Sequence, residues 1–320
     1  MTGWALESDL RRTAAAVRET RERIAPHIRR TPLTESGGRL LKLESLQRGG
    51  SFKVRGAAAA ITTATAPREI VAASTGNHAL AVAMVAAELG IPCRIFTPAS
   101  AAASKLARLR AAGVAVALVE GDPLAAELAA RRAAENSPGA RLVPPYNDRD
   151  VILGQATLGL ELLEQIDRAP DALFVPVGGG GLISGVALAV RDAWPDTAII
   201  GCLPAASPAM TDAVAAGRVV DSLMAPTLSD ATAGNIEEGS ITVPICSLLV
   251  DEWVLLEEDE IAAAMRSAAR EDHLVVEGAG ALALAASLRR GGGGGGRHAI
   301  VLSGAGVGAE ALRALFDETS

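Results

Sequence analysis

From Ile70 the chain falls into a regular alternation, and that alternation limits its fold more than any other feature. Ile70–Ala73 is a short aliphatic run, Ser74–Asn77 a polar loop, and His78–Leu89 an alanine-rich helix closed by Gly90. Cys93–Thr97, Lys105–Ala112, Val114–Val119 and Leu124–Glu135 continue as strand, helix, strand and helix, and Arg141–Val143 is a last extended piece before Pro144-Pro145. Strands separated by single helices and short connections do not pair as hairpins; they lie parallel and are joined by crossovers. A second series begins with helix Val151–Gln165, strand Ala172–Val177, helix Leu182–Ala193, strand Ala198–Leu203 and helix Met210–Ala216. It ends with strand Val250–Leu256, helices up to His273 and over Gly278–Leu288, strand Ala299–Leu302 and helix Gly308–Phe316. The expected class is α/β, with parallel, doubly wound sheets.

The 320 residues give room for two such units and a substantial core. Aromatic residues make up only 2% of the chain, against 49% hydrophobic overall, so Ala, Val, Leu and Ile must fill that core. Such a supply suits helices packed on parallel sheet. Before the alternation, Ser8 is expected to cap a helix to about Ile24, with Leu10, Ala14 and Val17 on one face. Thr31-Pro32-Leu33 then leads into a short strand, Arg39–Leu43, and Ala57–Ala64 reads as helix. Leu223–Pro244 reads as irregular loop, and the hexaglycine Gly291–Gly296 as a flexible surface loop. Glu257, Glu258, Asp259 and Glu260 lie in the first turn of a helix, where its dipole favours acids, so this run is read as structural.

Charge and cysteine content exclude several functions. A net charge of −7 without a basic cluster speaks against nucleic acid and anionic membranes as partners. Ala172–Val190 is uncharged over 19 residues, but its five glycines and one proline fit a strand, a turn and a helix better than a membrane span. Cys93, Cys202 and Cys246 are too few and scattered for a disulfide framework, which makes a reducing, cytoplasmic setting the expectation. No apolar signal segment opens the chain.

Four stretches carry candidate chemistry. Gly50-Ser51-Phe52-Lys53-Val54-Arg55-Gly56-Ala57 holds one lysine among small and apolar neighbours, where a strand should turn into a helix. A partly desolvated lysine has a lowered pKa and can attack an aldehyde. Pro176-Val177-Gly178-Gly179-Gly180-Gly181-Leu182 follows a strand and opens a helix, so its N–H groups can converge on a phosphate. The spacing is neither GxGxxG with a later acid nor GxxxxGKS, so dinucleotide and nucleoside-triphosphate sites are poorly supported. Ser74-Thr75-Gly76-Asn77-His78 offers hydroxyls, an amide and N–H groups at another helix N-terminus, suited to a carboxylate. Ser303-Gly304-Ala305-Gly306 presents a hydroxyl on a glycine turn after the final strand.

In this order the four stretches resemble the fold-type II pyridoxal-phosphate enzymes, with the tryptophan synthase beta-like fold, and within them the threonine/serine dehydratase and serine racemase branch. Further marks are Thr31-Pro32-Leu33, Leu46-Gln47, Gly154-Gln155 with Thr157 and Glu161, Gly234-Asn235, and Val276-Glu277-Gly278-Ala279-Gly280. The resemblance runs from roughly Arg30 to Val307. It implies a large cofactor-binding domain formed by 1–66 and 148–320, a small domain, 67–147, inserted in it, and a cofactor cleft between them. It also implies that Lys53 bonds to the aldehyde of pyridoxal 5′-phosphate and later moves the Cα proton. Phe52 would lie beside the pyridine ring, Asn77 would bond the ring's phenolic oxygen, and Gly178, Gly179, Gly180 and Gly181 would hold the phosphate. Ser303 would face the pyridine nitrogen. Ser74, Thr75, Gly76, Asn77 and His78 would receive the substrate carboxylate, with Asn147 bordering the site.

A serine at the pyridine nitrogen holds no positive charge there, which weakens the electron sink and favours loss of a β-substituent as the Cα proton leaves. The implied reaction is dehydration of L-threonine, L-serine or a related β-hydroxy amino acid to a 2-oxo acid and ammonia. The alternatives are racemisation or β-replacement on the same scaffold, and a catalytically silent binding protein.

The sequence departs from the branch in three places. Racemases carry a serine where Thr75 stands, and the β-methyl of threonine restricts the hydroxyl. Leu203-Pro204-Ala205-Ala206-Ser207-Pro208-Ala209 lacks the carboxylate that supplies a divalent-cation site in relatives, so no metal is expected. Ala79-Leu80 replaces the glutamine or arginine found in relatives after the Asn-His pair. Family members are dimers or tetramers, and a homo-oligomer is expected by analogy. No regulatory domain of the kind attached to biosynthetic threonine deaminases is expected after Ser320.

Overall fold

A computed structural model describes residues 6–317, apart from positions 64, 102, 122, 292, 293 and 295. It contains two sheets. The larger has six strands: β1 (Leu33–Ser36), β2 (Arg39–Leu43), β7 (Ala172–Pro176), β8 (Ala198–Pro204), β9 (Glu252–Leu256) and β10 (His298–Leu302). Their order is β1-β2-β10-β7-β8-β9, parallel throughout except for the antiparallel edge strand β1. The smaller sheet is wholly parallel. It orders β5 (Ala115–Val119), β4 (Cys93–Pro98), β3 (Glu69–Ala73) and β6 (Ala140–Leu142).

Helices cover both faces of each sheet, as the aliphatic strands require. On the larger sheet, alternate residues split between two cores. Leu173, Ile199 and Val301 face α6 (Arg149–Gln165), α7 (Gly181–Val190), α8 (Ala209–Ala216) and α9 (Thr242–Leu249). Phe174, Ile200 and Ile300 face α10 (Glu258–Arg270), α11 (Gly278–Arg289) and α12 (Ala309–Asp317). On the smaller sheet, Ile70 and Ala72 meet α2 (Lys53–Ile61), α3 (Asn77–Glu88) and α4 (Ala103–Ala111), and Val71 and Ala73 meet α5 (Pro123–Glu135). Helix α2 crosses α6 where Gly56 meets Gly154. A Cβ at Gly154 would lie 2.4 Å from the Arg55 carbonyl oxygen.

Chain order reverses at one place in each sheet. In the larger it reverses between β10 and β7, and in the smaller between β3 and β6. Crevices form outside the carboxyl ends of strands at such points. The tetraglycine follows β7, Ser303 follows β10 and Ser74 follows β3, so three of the four marked stretches sit at these crevices.

Four elements differ from expectation. Helix α2 begins at Lys53 itself rather than at Ala57. Strand β1 is a short, half-polar edge without an apolar alternation. Helix α9 occupies part of the stretch read as irregular, because Pro244 falls in its first turn, where the missing N–H costs nothing. Helix α1 (Leu6–Ile24) begins before Ser8, so Ser8 does not stand at its N-terminus; Val17 is fully buried, and the side chain of Leu10 lies outside the described ones. The acidic run forms a capping box at the start of α10, with the Glu260 carboxylate accepting from the Glu257 N–H at 2.9 Å. Part of the hexaglycine, and with it the loop expected there, lies outside the described residues. Ala172–Val190 resolves into β7, a turn and α7, and no helix among the described residues is long and apolar enough to cross a membrane.

Candidate active site

Lys53 opens α2 at a point stitched to the end of β10. Ser51 and Gly304 form an antiparallel bridge. The Phe52 N–H donates to the Ser303 carbonyl at 3.1 Å, and the Ala305 N–H to the Gly50 carbonyl at 2.9 Å. The lysine stretch and the buried Ser303 are thereby fixed to each other. Lys53 is half-buried, its Nζ donates to the Pro145 carbonyl at 3.0 Å and lies 5.1 Å from the centre of the Phe52 ring. Desolvation lowers its pKa to about 8, outweighing the opposing charge of Glu277. An amine in that state has a substantial neutral, nucleophilic fraction near neutral pH.

Behind this turn lies a wholly buried ion cluster. The Arg55 guanidinium grips Glu44 with two bonds, of 2.8 and 2.7 Å, and reaches Glu161 at 2.8 Å and the Thr157 hydroxyl at 3.2 Å. Lys42 donates to Glu161 at 2.5 Å, to the Thr31 carbonyl at 2.9 Å and to the Gln165 amide oxygen at 2.8 Å. Two cations face two anions, none more than 2% exposed. Burial alone would raise the Glu161 pKa, but Arg55 and Lys42 hold it below the usual carboxylate range. The cluster joins β2, α2 and α6, and so fixes the direction in which α2 leaves Lys53.

The glycine turn presents the opposite condition. Gly180, with φ +82°, caps α7 in the left-handed region. Among the described residues, no N–H from Gly178 to Ile183 finds an acceptor in the protein. Glycine is required here by close approach as well. A Cβ at Gly179 would meet the Tyr146 ring at 2.3 Å, and one at Gly178 would lie 2.9 Å from the Thr232 carbonyl oxygen. The Tyr146 hydroxyl accepts from the Glu237 N–H at 2.7 Å, and Thr242 donates to the Gly179 carbonyl at 2.7 Å. A run of donors at a helix N-terminus is a receptor for an anion.

The loop after β3 has the same character. Ser74 bends it by accepting from the Gly76 N–H at 3.1 Å, while the N–H groups of Thr75, Asn77, His78 and Ala79 have no acceptor among the described residues. The His78 ring is turned into the core. Its Nε2 donates to the Val143 carbonyl at 2.8 Å, and burial together with nearby Lys53 pushes its pKa down to about 3, so it stays neutral. Its backbone N–H remains available to a ligand. The Asn77 amide donates to Glu277 at 2.7 Å. Asn147 donates to Glu237 at 2.9 Å and accepts from the Ile241 N–H at 3.0 Å.

Glu277, Tyr146 and the Pro145 carbonyl were not singled out from sequence for a role at the site. Glu277 lies in the marked run Val276–Gly280, so its place was visible although its partner was not. The residues present fit a phosphorylated aldehyde cofactor. A lysine with lowered pKa, a serine fixed beside it and a row of unpaired N–H groups meet its three functional parts. At the turn after β8, Ser207 accepts from the Gly234 N–H at 3.1 Å.

Comparison with known proteins agrees. The family model described as "Pyridoxal-phosphate dependent enzyme" matches residues 24–304. The chain is 36% identical over 306 residues to an L-threonine ammonia-lyase of Thermotoga maritima, covering 92% of this chain and 76% of that protein. It is 37% identical over 280 residues to a serine racemase of Arabidopsis thaliana, covering 84% and 83%. Its fold is similar to that of threonine deaminase isoform 2 from Solanum lycopersicum, with a TM-score of 0.89, 28% identity and coverage of 98% and 89%. Maize serine racemase is similar at a TM-score of 0.85, 31% identity and coverage of 95% and 97%. The chain belongs to the pyridoxal-phosphate dependent enzymes, and pyridoxal phosphate is its cofactor.

Proposed function

We propose that the protein is a lyase that removes the β-hydroxyl of L-threonine, L-serine or a related β-hydroxy amino acid, releasing a 2-oxo acid and ammonia. One observation carries the reading: a lysine with lowered pKa, tied to Ser303, accompanies two helix N-termini at which, among the described residues and apart from Gly76, the first N–H donors have no protein acceptor. Pyridoxal phosphate supplies an electron-accepting ring that makes the Cα proton of a bound amino acid removable. Lys53 holds the cofactor and moves that proton. Gly178, Gly179, Gly180 and Gly181 would bind the phosphate and Asn77 the phenolic oxygen, while Ser303 would face the ring nitrogen and Phe52 would lie beside the ring. The backbone of Ser74–His78 binds the substrate carboxylate, for which the unpaired N–H groups are the support. The hydroxyl leaves as water, and addition of water to the resulting enamine, after tautomerisation, frees ammonia. The names of the Thermotoga and Solanum relatives support threonine as a substrate.

A second reading, racemisation, has the serine racemase relatives and the Thr75 hydroxyl in its favour. The test is 2-oxo acid release by cofactor-loaded protein from L-threonine, L-serine, D-serine and both 3-hydroxyaspartate diastereomers. Release from one or two of these is expected. Inversion of serine without release of a 2-oxo acid would move the assignment to racemase.

The larger unit is proposed to be 1–66 with 148–320 and the smaller 67–147, because the four-stranded sheet draws only on Glu69–Leu142. Three unpaired thiols accord with a cytoplasmic setting. Exposed Leu223, Met224 and Leu228 accord with a homo-oligomer, dimer or tetramer, which light scattering would resolve.

A further inference from the structure

We infer that Glu277 is a positioning residue of the active site: its carboxylate holds the Asn77 amide so that one Nδ2 hydrogen remains directed to the oxygen of the cofactor ring. The inference rests on the reading of Asn77 given above and adds the group that fixes it.

Glu277 stands at the N-cap of α11, yet its side chain makes no capping bond to that helix. It is 6% exposed and turned instead toward Asn77, whose Nδ2 donates to Oε1 at 2.7 Å. A buried carboxylate is costly unless bonded, and the remaining partner is the Gly306 backbone. The Glu277 N–H donates to the Gly304 carbonyl at 3.0 Å, which pins the residue to the loop after β10. Space for the pair is made by two glycines. A Cβ at Gly304 would lie 2.2 Å from Oε1, and one at Gly306 would lie 2.6 Å from Oε2 and 2.4 Å from the Asn77 Oδ1.

The chemistry follows from the inventory of donors. An asparagine amide has one acceptor oxygen and two N–H donors, and the two ends exchange on a flip. An ionised carboxylate only accepts, so it selects the orientation with Nδ2 toward it and Oδ1 against Gly306. One N–H is then used by Glu277 and the other is free for an oxygen anion. The flipped amide would point its own oxygen at that anion. The charged groups around Glu277 are Lys53, Asp230 and Arg108. Of these, Lys53 gains most directly, because the Glu277 charge opposes the fall in its pKa.

The test compares pyridoxal-phosphate affinity of the apoprotein, by fluorescence titration, across wild type, Asn77→Ala, Glu277→Ala, Glu277→Gln and the Asn77→Ala/Glu277→Ala double variant. Far-UV circular dichroism establishes that each is folded. Asn77→Ala should weaken binding about tenfold and Glu277→Ala about three- to tenfold, as loss of one charge-assisted hydrogen bond implies. The double variant should bind no worse than Asn77→Ala, and Glu277→Gln, which still offers an acceptor, should stay within about twofold of wild type. Wild-type affinity in a folded Glu277→Ala, or losses that add in the double variant, would overturn the inference. Wild-type affinity in Asn77→Ala would overturn the reading of Asn77 itself, which separates the two failures.

Discussion

The two sides of the first turn of α2 are both polar, and they are built on opposite rules. Behind Lys53, the groups of Lys42, Glu44, Arg55 and Glu161 are sealed from water and bonded to one another. In front, among the described residues, backbone donors from Gly178 to Ile183 and from Thr75 to Ala79 are left without protein acceptors, Gly76 and its bond to Ser74 excepted. Both regions spend polarity inside the fold, where it is costly. The rear recovers that cost within the chain and so specifies geometry. The front leaves it to be recovered by a ligand and so specifies affinity. The lysine lies on the boundary, held from behind and reactive in front.

Breaking the front at its reactive atom has the largest expected effect. Lys53→Ala should abolish turnover and covalent attachment of the cofactor while leaving the melting transition of the apoprotein near that of wild type. Retained turnover at the wild-type rate would sink the assignment. Breaking the rear should do the reverse. Arg55→Met leaves two buried carboxylates facing one lysine, a change of about 3–5 kcal/mol in unfolding free energy, measurable by urea denaturation of the apoprotein. A third variant sharpens the contrast within the front. Gly179→Ala drives a methyl into the Tyr146 ring and should weaken cofactor binding at least tenfold, at a stability cost of about 1–3 kcal/mol.

The pH dependence isolates the boundary residue. Lys53 is depressed from the ordinary lysine value of 10.5 to about 8, so its neutral form grows as pH rises through about 8. The rate at which apoprotein captures pyridoxal phosphate should climb over that interval and level off above it. A climb centred near 10.5 would mean that the amine is not desolvated. The smallest effect is expected at Thr75→Ala, which should leave 2-oxo acid release within a few-fold of wild type and remove any racemisation, as chiral chromatography of residual serine would detect.

Much of this was legible in the chain because the constraints were local. The βα alternation and the glycine and serine turns are each written within a few consecutive residues, and the structure keeps their bounds within about three positions. What was hidden depends on long-range pairing. Asn77 and Glu277 meet across 200 positions, and Arg55 and Glu161 across 106. Nothing beside Glu277 announces a partner, and a helix N-cap offered it an ordinary local use that it does not take. His78 has a long-range tie of the same kind. Next to Asn77 it reads as a ligand group, yet its ring is committed to Val143, 65 positions away. Helix α9 and strand β1 were obscured by prolines and polar edges, which tertiary packing tolerates at those positions.

The contact between Tyr146 and the glycine turn has a practical side. The chain has a single tyrosine, and its ring lies against Gly179 with its hydroxyl anchored on Glu237. Replacing tyrosine biosynthetically with a fluorinated analogue would therefore label the protein at one known place. Its lone resonance would report occupancy of the glycine turn directly, whether or not any substrate is turned over.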